Sequence, residues 1–288
     1  MDSDALFLKE SGNKWYINKR TAQDASSLAE KIYWNSLYKK HQEYLGGNFL
    51  TRFPNDPLAG LWELTLSEFL YSHESAGLEM TPLLRKKSMP DFGFNLQGTK
   101  FFLEATTTSA GNRVELNQEC LTTQSRTIPF SKYNESFCSA IQYKGVTKYE
   151  EYKLNIPKNS GFIIAISTTK ISSHDHPLGV QHELSCLFGI SDMEFIIDQQ
   201  TQSMTGPIPQ KTFEKANNAS IDKIFFEKNP QVSCILMSYK EEAFFPDCIQ
   251  YRSGMAWNNG VTNDFHLIHN PFADVPFPQK FLSVSEEI

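Results

Sequence analysis

The stretch Pro90-Asp91-Phe92-Gly93-Phe94-Asn95-Leu96-Gln97-Gly98-Thr99-Lys100-Phe101-Phe102-Leu103-Glu104-Ala105-Thr106 decides how the chain is read. It predicts two strands joined by a tight turn at Gln97-Gly98. A two-residue loop there sets Asp91 directly opposite Glu104 and Phe92 opposite Leu103. Strand alternation then sorts the hairpin into two faces. Phe92, Phe94, Leu96, Phe101, Leu103 and Ala105 share the apolar one. Asp91, Gly93, Asn95, Lys100, Phe102, Glu104 and Thr106 share the other. Opposed side chains lie about 5 Å apart at Cβ, and like charges there are destabilising. A raised carboxyl pKa or a bound cation offsets such a repulsion. Mg²⁺ takes oxygen ligands, typically one or two carboxylates plus water and substrate phosphate. The alternative is a solvated polar face with the two carboxylates splayed apart.

The remaining composition narrows the class. The chain has 288 residues, 40% hydrophobic and 21% charged, with 22 Phe and 11 Tyr, so it can bury a sizeable core in a single domain spanning 1–288. The net charge of -6 gives no global basic footprint, which leaves nucleic-acid contact to local patches. Arg85-Lys86-Lys87 and Lys144, Lys148, Lys153 and Lys158 are such patches, and a solvated edge is their ordinary role. Five scattered cysteines form no CxxC pair, so neither a zinc ribbon nor a disulfide framework is indicated, and a reducing, cytoplasmic setting is expected. The opening residues carry no basic and apolar regions of a signal peptide. No apolar run reaches the roughly 20 residues that span a bilayer, so no membrane association is expected.

Taken in order, residues 1–20 read as a β-like lead-in with Lys14-Trp15-Tyr16-Ile17 as its apolar part. A helix follows, capped by Thr21 or Asp24, with Leu28, Ile32, Leu37, Tyr38 and Leu45 at helical spacing and Gly46-Gly47 as its end. Asp56 caps the next helix with Pro57 at its first position, and Gly77 closes it. Glu63 and Glu68 lie off its apolar stripe. Leu78 to Leu84 reads as a first strand, the hairpin as the second and third, and Thr107 to Ser131 as a long loop. A helix is predicted from Ser131 to about Tyr152, where Lys144 and Lys148 lie one turn apart on one side and Gly145 weakens it by about 1 kcal/mol relative to Ala. Gly161 to Ser167 reads as a strand buried on both faces. Beyond it come a His-bearing loop (His174, Asp175, His176), a short helix from Gln181 to Phe188, and a strand from Val232 to Ser238. A strand partner near Phe244 to Tyr251 and an extended, surface-wrapping tail complete the chain.

The order helix–strand–strand–strand–helix–strand, with Pro90-Asp91 opening one strand and Glu104-Ala105-Thr106 ending the next, resembles the PD-(D/E)XK nuclease superfamily over roughly residues 57–168. That resemblance implies an α/β fold, a mixed central sheet flanked by helices with a restriction-endonuclease-like αβββαβ core. Residues 1–56 would be an N-terminal helical addition and 169–288 a C-terminal elaboration. It implies a nuclease that uses Mg²⁺ or Mn²⁺ to polarise the scissile phosphate and activate a water, in a restriction, defence or repair role. By resemblance Asp91 and Glu104 are metal ligands, the Ala105 carbonyl supplies a further oxygen, and Glu63 is an outer ligand or water anchor. The implied partner is nucleic acid, DNA first, with a homodimer left open.

Thr106 departs from the pattern, standing where the motif has lysine. A hydroxyl can hold a water but carries no charge. Lys144 or Lys148 on the following helix can replace the lysine. Lys100 shares the polar face but lies about 13 Å along the strand. Alternatively the metal suffices alone, or the site is degenerate and only binds. A non-catalytic nucleic-acid-binding or interaction module on the same fold is the first rival, and a carboxylate-pair glycosidase the second. His174, Asp175, His176 and His182 are read as a polar segment rather than a zinc site. No GxxxxGK[ST] or GxGxxG motif occurs, which disfavours a nucleotide-driven motor or a dinucleotide enzyme, and no GxSxG occurs either.

Overall fold

Gln97 and Gly98 both take positive φ, 50° and 81°. This is the backbone a two-residue hairpin turn demands, and only glycine adopts it freely. The turn fixes the register as Phe92↔Leu103, Gly93↔Phe102 and Phe94↔Phe101, so Asp91 falls opposite Glu104. The surrounding architecture comes from a computed structural model. It describes residues 5–82, 88–108, 130–168, 181–188, 193–198, 203–209, 212–214, 220–222, 224–238, 265–282 and 286–287.

Four helices precede the sheet: α1 (Lys14–Thr21), α2 (Ala25–His41), α3 (Phe49–Arg52) and α4 (Pro57–Ser72). The predicted β-like lead-in is helical. The Asn13 side chain accepts from the Tyr16 N–H and starts α1, and Tyr16 is fully buried. Asp24 caps α2 through the Ser27 N–H, and Asp56 with Pro57 opens α4. The expected stripe is only partly correct, since Leu37 and Leu45 are buried while Leu28 is 38% and Ile32 69% exposed.

The sheet begins with β1 (Leu78–Thr81), β2 (Phe92–Leu96) and β3 (Thr99–Thr107). Helix α5 (Phe130–Gln142) then runs through a π-helical segment (Tyr143–Lys148) into α6 (Tyr149–Tyr152), and β4 (Gly161–Ser167) follows. The later elements are α7 (Gln181–Phe188), the pair β5 (Met193–Asp198) and β6 (Ser203–Pro209), and the pair β7 (Thr212–Glu214) and β8 (Ser220–Asp222). After them come α8 (Phe225–Lys228), β9 (Val232–Ser238), β10 (His266–His269) and β11 (Glu286–Glu287). The main sheet has the order β1-β2-β3-β4-β9-β10-β11. It is mixed: β1, β2 and β3 are antiparallel, β3, β4 and β9 parallel, and β10 antiparallel to β9. The protein is therefore α/β with a mixed central sheet flanked by helices, and the helix–strand–strand–strand–helix–strand order of residues 57–168 is present.

Both faces of this sheet are covered, which explains why every residue of β4 and β9 is buried. On one face α4 packs Leu61, Trp62, Leu66 and Phe69 with Phe92, Leu103, Ala105 and Ala165. The Trp62 indole donates to the Ala165 carbonyl at 3.1 Å and pins α4 across the sheet. On the other face Phe137, Ile141 and Tyr152 pack with Phe102, Phe162 and Ile164. The tail runs over the surface, with most of residues 271–282 exposed or half-buried, and is anchored there by the buried Phe277 and Leu282, Phe277 meeting Phe101 edge to face. Among the described residues no helix is long and apolar enough to cross a membrane. Arg85-Lys86-Lys87, most of the loop after β3, His174-Asp175-His176 and the strand expected at 244–251 lie outside the described residues.

Candidate active site

The hairpin builds the centre. β3 runs to Thr107, but β2 begins only at Phe92, so β3 projects beyond its partner. Asp91 stands at the start of β2 and its Oδ2 accepts from the Ala105 N–H at 2.8 Å. In a strand the N–H and C=O of one residue point to the same side. The Ala105 carbonyl thus faces the same gap, where Pro90, the residue before Asp91, offers it no N–H from the hairpin partner position.

Helices from both faces close in on this gap. Glu63 comes from α4 and is buried to 5% exposure; it is not helix surface. Arg52, the last residue of α3, binds Glu63 Oε2 through a guanidinium nitrogen. From the other face Lys144, in the π-helical segment, donates to Glu104 Oε1 at 2.5 Å. Tyr152 stands beside Glu104 from α6, near enough for the Glu104 charge to raise its hydroxyl. Glu104 is 3% exposed, and its second oxygen, Oε2, is buried without a hydrogen-bond partner among the described residues.

Glycines set the approach of both helical walls. A Cβ at Gly60 would lie 2.4 Å from the Phe53 ring, so only glycine lets the residues after α3 seat on α4. A Cβ at Gly145 would lie 2.5 Å from the Phe225 ring and 3.1 Å from Ile164. Gly145 therefore seats the lysine-bearing segment against the sheet, and its carbonyl accepts from Gln231 Nε2 at 2.9 Å. π-helical turns inside α-helices are frequent at functional sites.

Burial dominates the electrostatics. It pushes the Glu104 carboxyl up to about 8, with Asp91 adding to the rise and Lys144 opposing it. The Glu63 carboxyl is pushed up to about 7, first by burial and then by Asp91, against the pull of Arg52. Asp91 is raised as well, by burial, with Lys144, the Ala105 N–H and Arg52 holding it back. The Tyr152 hydroxyl is also raised, by burial and then by the charge of Glu104. Two buried carboxyls and the half-buried Asp91, each raised above its ordinary range, form a site that favours positive charge.

The residues picked out by sequence divide clearly. Asp91, Glu104, Ala105, Glu63 and Lys144 come together. Thr106 lies half-buried two residues past Glu104 on the same strand face and brings a hydroxyl rather than a charge. Lys148 stays at the rim, where it binds Glu151 Oε2 at 2.7 Å, with its Nζ 5.8 Å from the centre of the Tyr143 ring. Lys100 lies over Phe102, 5.6 Å from the ring centre. Arg52 and Tyr152 were not anticipated. Arg52 belongs to a four-residue helix too short to show periodicity, and Tyr152 reads as one more aromatic core residue.

The donor set fits a hard divalent cation. Asp91 and Glu104 supply carboxylate oxygens, Glu104 Oε2 is a buried oxygen lacking a partner among the described residues, and the Ala105 carbonyl faces the same gap. Among the described residues no group of three or more His, Cys, Asp and Glu side chains forms a ready-made metal cage. Mg²⁺ does not need one, since it commonly keeps several waters on one or two carboxylates. No protein-family model matches the chain, and no curated protein or solved structure matches it either.

Proposed function

We propose that the protein is a Mg²⁺- or Mn²⁺-dependent nuclease that hydrolyses phosphodiester bonds of nucleic acid, DNA first. The observation that carries this reading is the pair Asp91 and Glu104 with Lys144 Nζ 2.5 Å from Glu104 Oε1 and Glu104 Oε2 unpartnered among the described residues. Asp91, Glu104 and the Ala105 carbonyl would hold the cation. The cation supplies charge for the phosphoryl oxygens and lowers the pKa of a water nucleophile. The chain's own groups do the rest. The Ala105 N–H fixes the orientation of the Asp91 carboxylate. Lys144 keeps Glu104 Oε1 engaged, leaving Oε2 as its free oxygen. The lysine absent at Thr106 is supplied in this reading by Lys144, whose ammonium lies beside the carboxylates on a different element. The enclosing walls of α4 and the π-helical segment exclude water from these contacts and strengthen them.

A second reading is a nucleic-acid-binding module that does not cleave. It is favoured by the two cations, Arg52 and Lys144, which already engage two of the three carboxyls. The two readings separate on one experiment. Purified protein is incubated with single- and double-stranded DNA and RNA, with and without Mg²⁺ and Mn²⁺. The nuclease reading expects divalent-dependent cleavage that drops by about 10³-fold in Asp91→Ala and in Glu104→Ala. Binding without cleavage by the wild type under all these conditions establishes the module. Hydrolysis of a glycoside without any metal would overturn both.

A further inference from the structure

We infer that Arg52 is a positioning residue that withholds Glu63 from the cation site, so that Asp91 and Glu104 alone define the metal's carboxylate ligands. This rests on the divalent-cation reading of the same site. Three carboxyls crowd the gap beyond β2, and the two cations each take a different one. Lys144 engages Glu104 and Arg52 engages Glu63, while Asp91 accepts a backbone N–H.

Neither partner in the Arg52–Glu63 pair has much freedom. Glu63 follows Trp62, whose indole is bonded to the Ala165 carbonyl across the sheet, so α4 cannot rotate to re-aim the carboxylate. Arg52 directly precedes Phe53, whose buried ring contacts that of Phe49, and its guanidinium lies 5.5 Å from the Phe49 ring centre. Gly60 is what lets Phe53 approach α4 so closely. A planar fork already oriented by its neighbours loses little freedom on pairing. The pair is also lopsided in exposure, with Glu63 at 7% and Arg52 at 34% of their side-chain surface. Arg52 therefore closes Glu63 from the solvent side, and the carboxylates left for a cation are the two on the hairpin. The lack of any three-residue acidic cage among the described residues agrees with this division.

The test is a double-mutant cycle on Mn²⁺ binding, followed by titration calorimetry on the full chain without nucleic acid. The variants are Arg52→Gln, Glu63→Gln and the two combined. Removing a nearby positive charge tightens cation binding by simple Coulomb attraction whatever Glu63 does, and that part is equal in both backgrounds. Release of Glu63 as a new ligand adds a gain only where Glu63 is present. The expected result is that Arg52→Gln tightens Mn²⁺ at least about tenfold more in the background that keeps Glu63 than in the Glu63→Gln background. An equal effect in both backgrounds overturns the inference. Should Arg52→Gln not fold, Arg52→Met keeps the stem against Phe49 and replaces it in the cycle. Saturable Mn²⁺ binding in the wild type, lost in Asp91→Asn, shows that the cation reading stands even where the cycle is null. No saturable binding in the wild type overturns the cation reading and this inference together.

Discussion

Lys144 and Lys148 lie four residues apart on one helical rod, 6.0 Å and 5.8 Å from the centre of the same Tyr143 ring, and end in opposite kinds of ion pair. Lys144 reaches inward to Glu104, with side-chain exposures of 17% and 4%. Lys148 reaches along its own helix to Glu151, at 26% and 44%. The outer pair is an ordinary surface contact three residues apart, the kind that contributes about 0–1 kcal/mol. The inner pair is a poor way to stabilise a fold, since desolvating both charges can cost more than their attraction returns. Burial also drives the Glu104 carboxyl toward its neutral form, against the pull of Lys144. An acidic cluster kept under such strain, at the open end of a hairpin, is better explained by what it binds than by what it holds together.

The largest expected difference between the two lysines tests that contrast. Lys144→Ala lowers divalent-dependent cleavage by about 10²-fold while the protein stays folded, because Glu104 loses the cation that orients it. Lys148→Ala changes the rate by no more than about twofold, as befits a solvated pair. Both rates are read on the same nucleic-acid substrate at saturating Mg²⁺, with circular dichroism confirming the fold. Equal losses in the two variants would break the distinction between inner and outer lysine.

Much of this centre was legible in the sequence because its parts are local. A Gln-Gly turn fixes register, and register alone puts Asp91 opposite Glu104. Asp56 and Pro57 mark the start of α4, which places Glu63 within two turns of a known cap. What escaped depends on contacts distant in the chain. Lys14-Trp15-Tyr16-Ile17 has no amphipathic pattern to betray a helix. It is helical because Asn13 caps it and Tyr16 packs against Phe7 and Phe53. Ile32 looked like core from its spacing but lies on the open side of α2. Arg52 has no local signature at all, since its role appears only once α3 is seated on α4.

Gly145 shows how far local propensity misleads, and it carries a smaller effect. From helix propensity alone Gly145→Ala should stabilise by about 1 kcal/mol. The added Cβ, however, meets the buried Phe225 ring at 2.5 Å, and overpacking of this kind typically costs about 1–3 kcal/mol. The expected outcome is net destabilisation by about 1 kcal/mol in urea unfolding, as overpacking outweighs propensity. A partial loss of cleavage should accompany it, since the segment carrying Lys144 is pushed off the sheet. Val146→Ala, next door at 38% exposure, should stay within about 0.5 kcal/mol. A stabilised Gly145→Ala protein would mean that the π-helical segment is not held to the sheet as described.

The smallest effect concerns pH and sharpens the same contrast from the acid side. Glu104, at about 8, and Glu63, at about 7, both lie above the ordinary carboxylate range in the folded protein. A raised folded pKa means the native state binds a proton that the unfolded chain has already released. Stability from these groups is fully present below the unfolded carboxylate pKa and is lost as pH rises through about 7 to 8. Glu68 works in the opposite sense: bonds from His41 and Lys40 overcome its burial and lower its pKa, so its contribution fades on acidification. Comparison of the wild type with Glu104→Gln isolates the site. Without divalent ions, the wild-type melting temperature should fall more between pH 5 and 8.5 than that of Glu104→Gln. Added Mg²⁺ should then raise it more at pH 8 than at pH 6, because at the higher pH the cation displaces fewer protons. Parallel pH profiles for the two proteins would show that Glu104 is ionised throughout, and the inner pair would then differ from the outer one in burial alone.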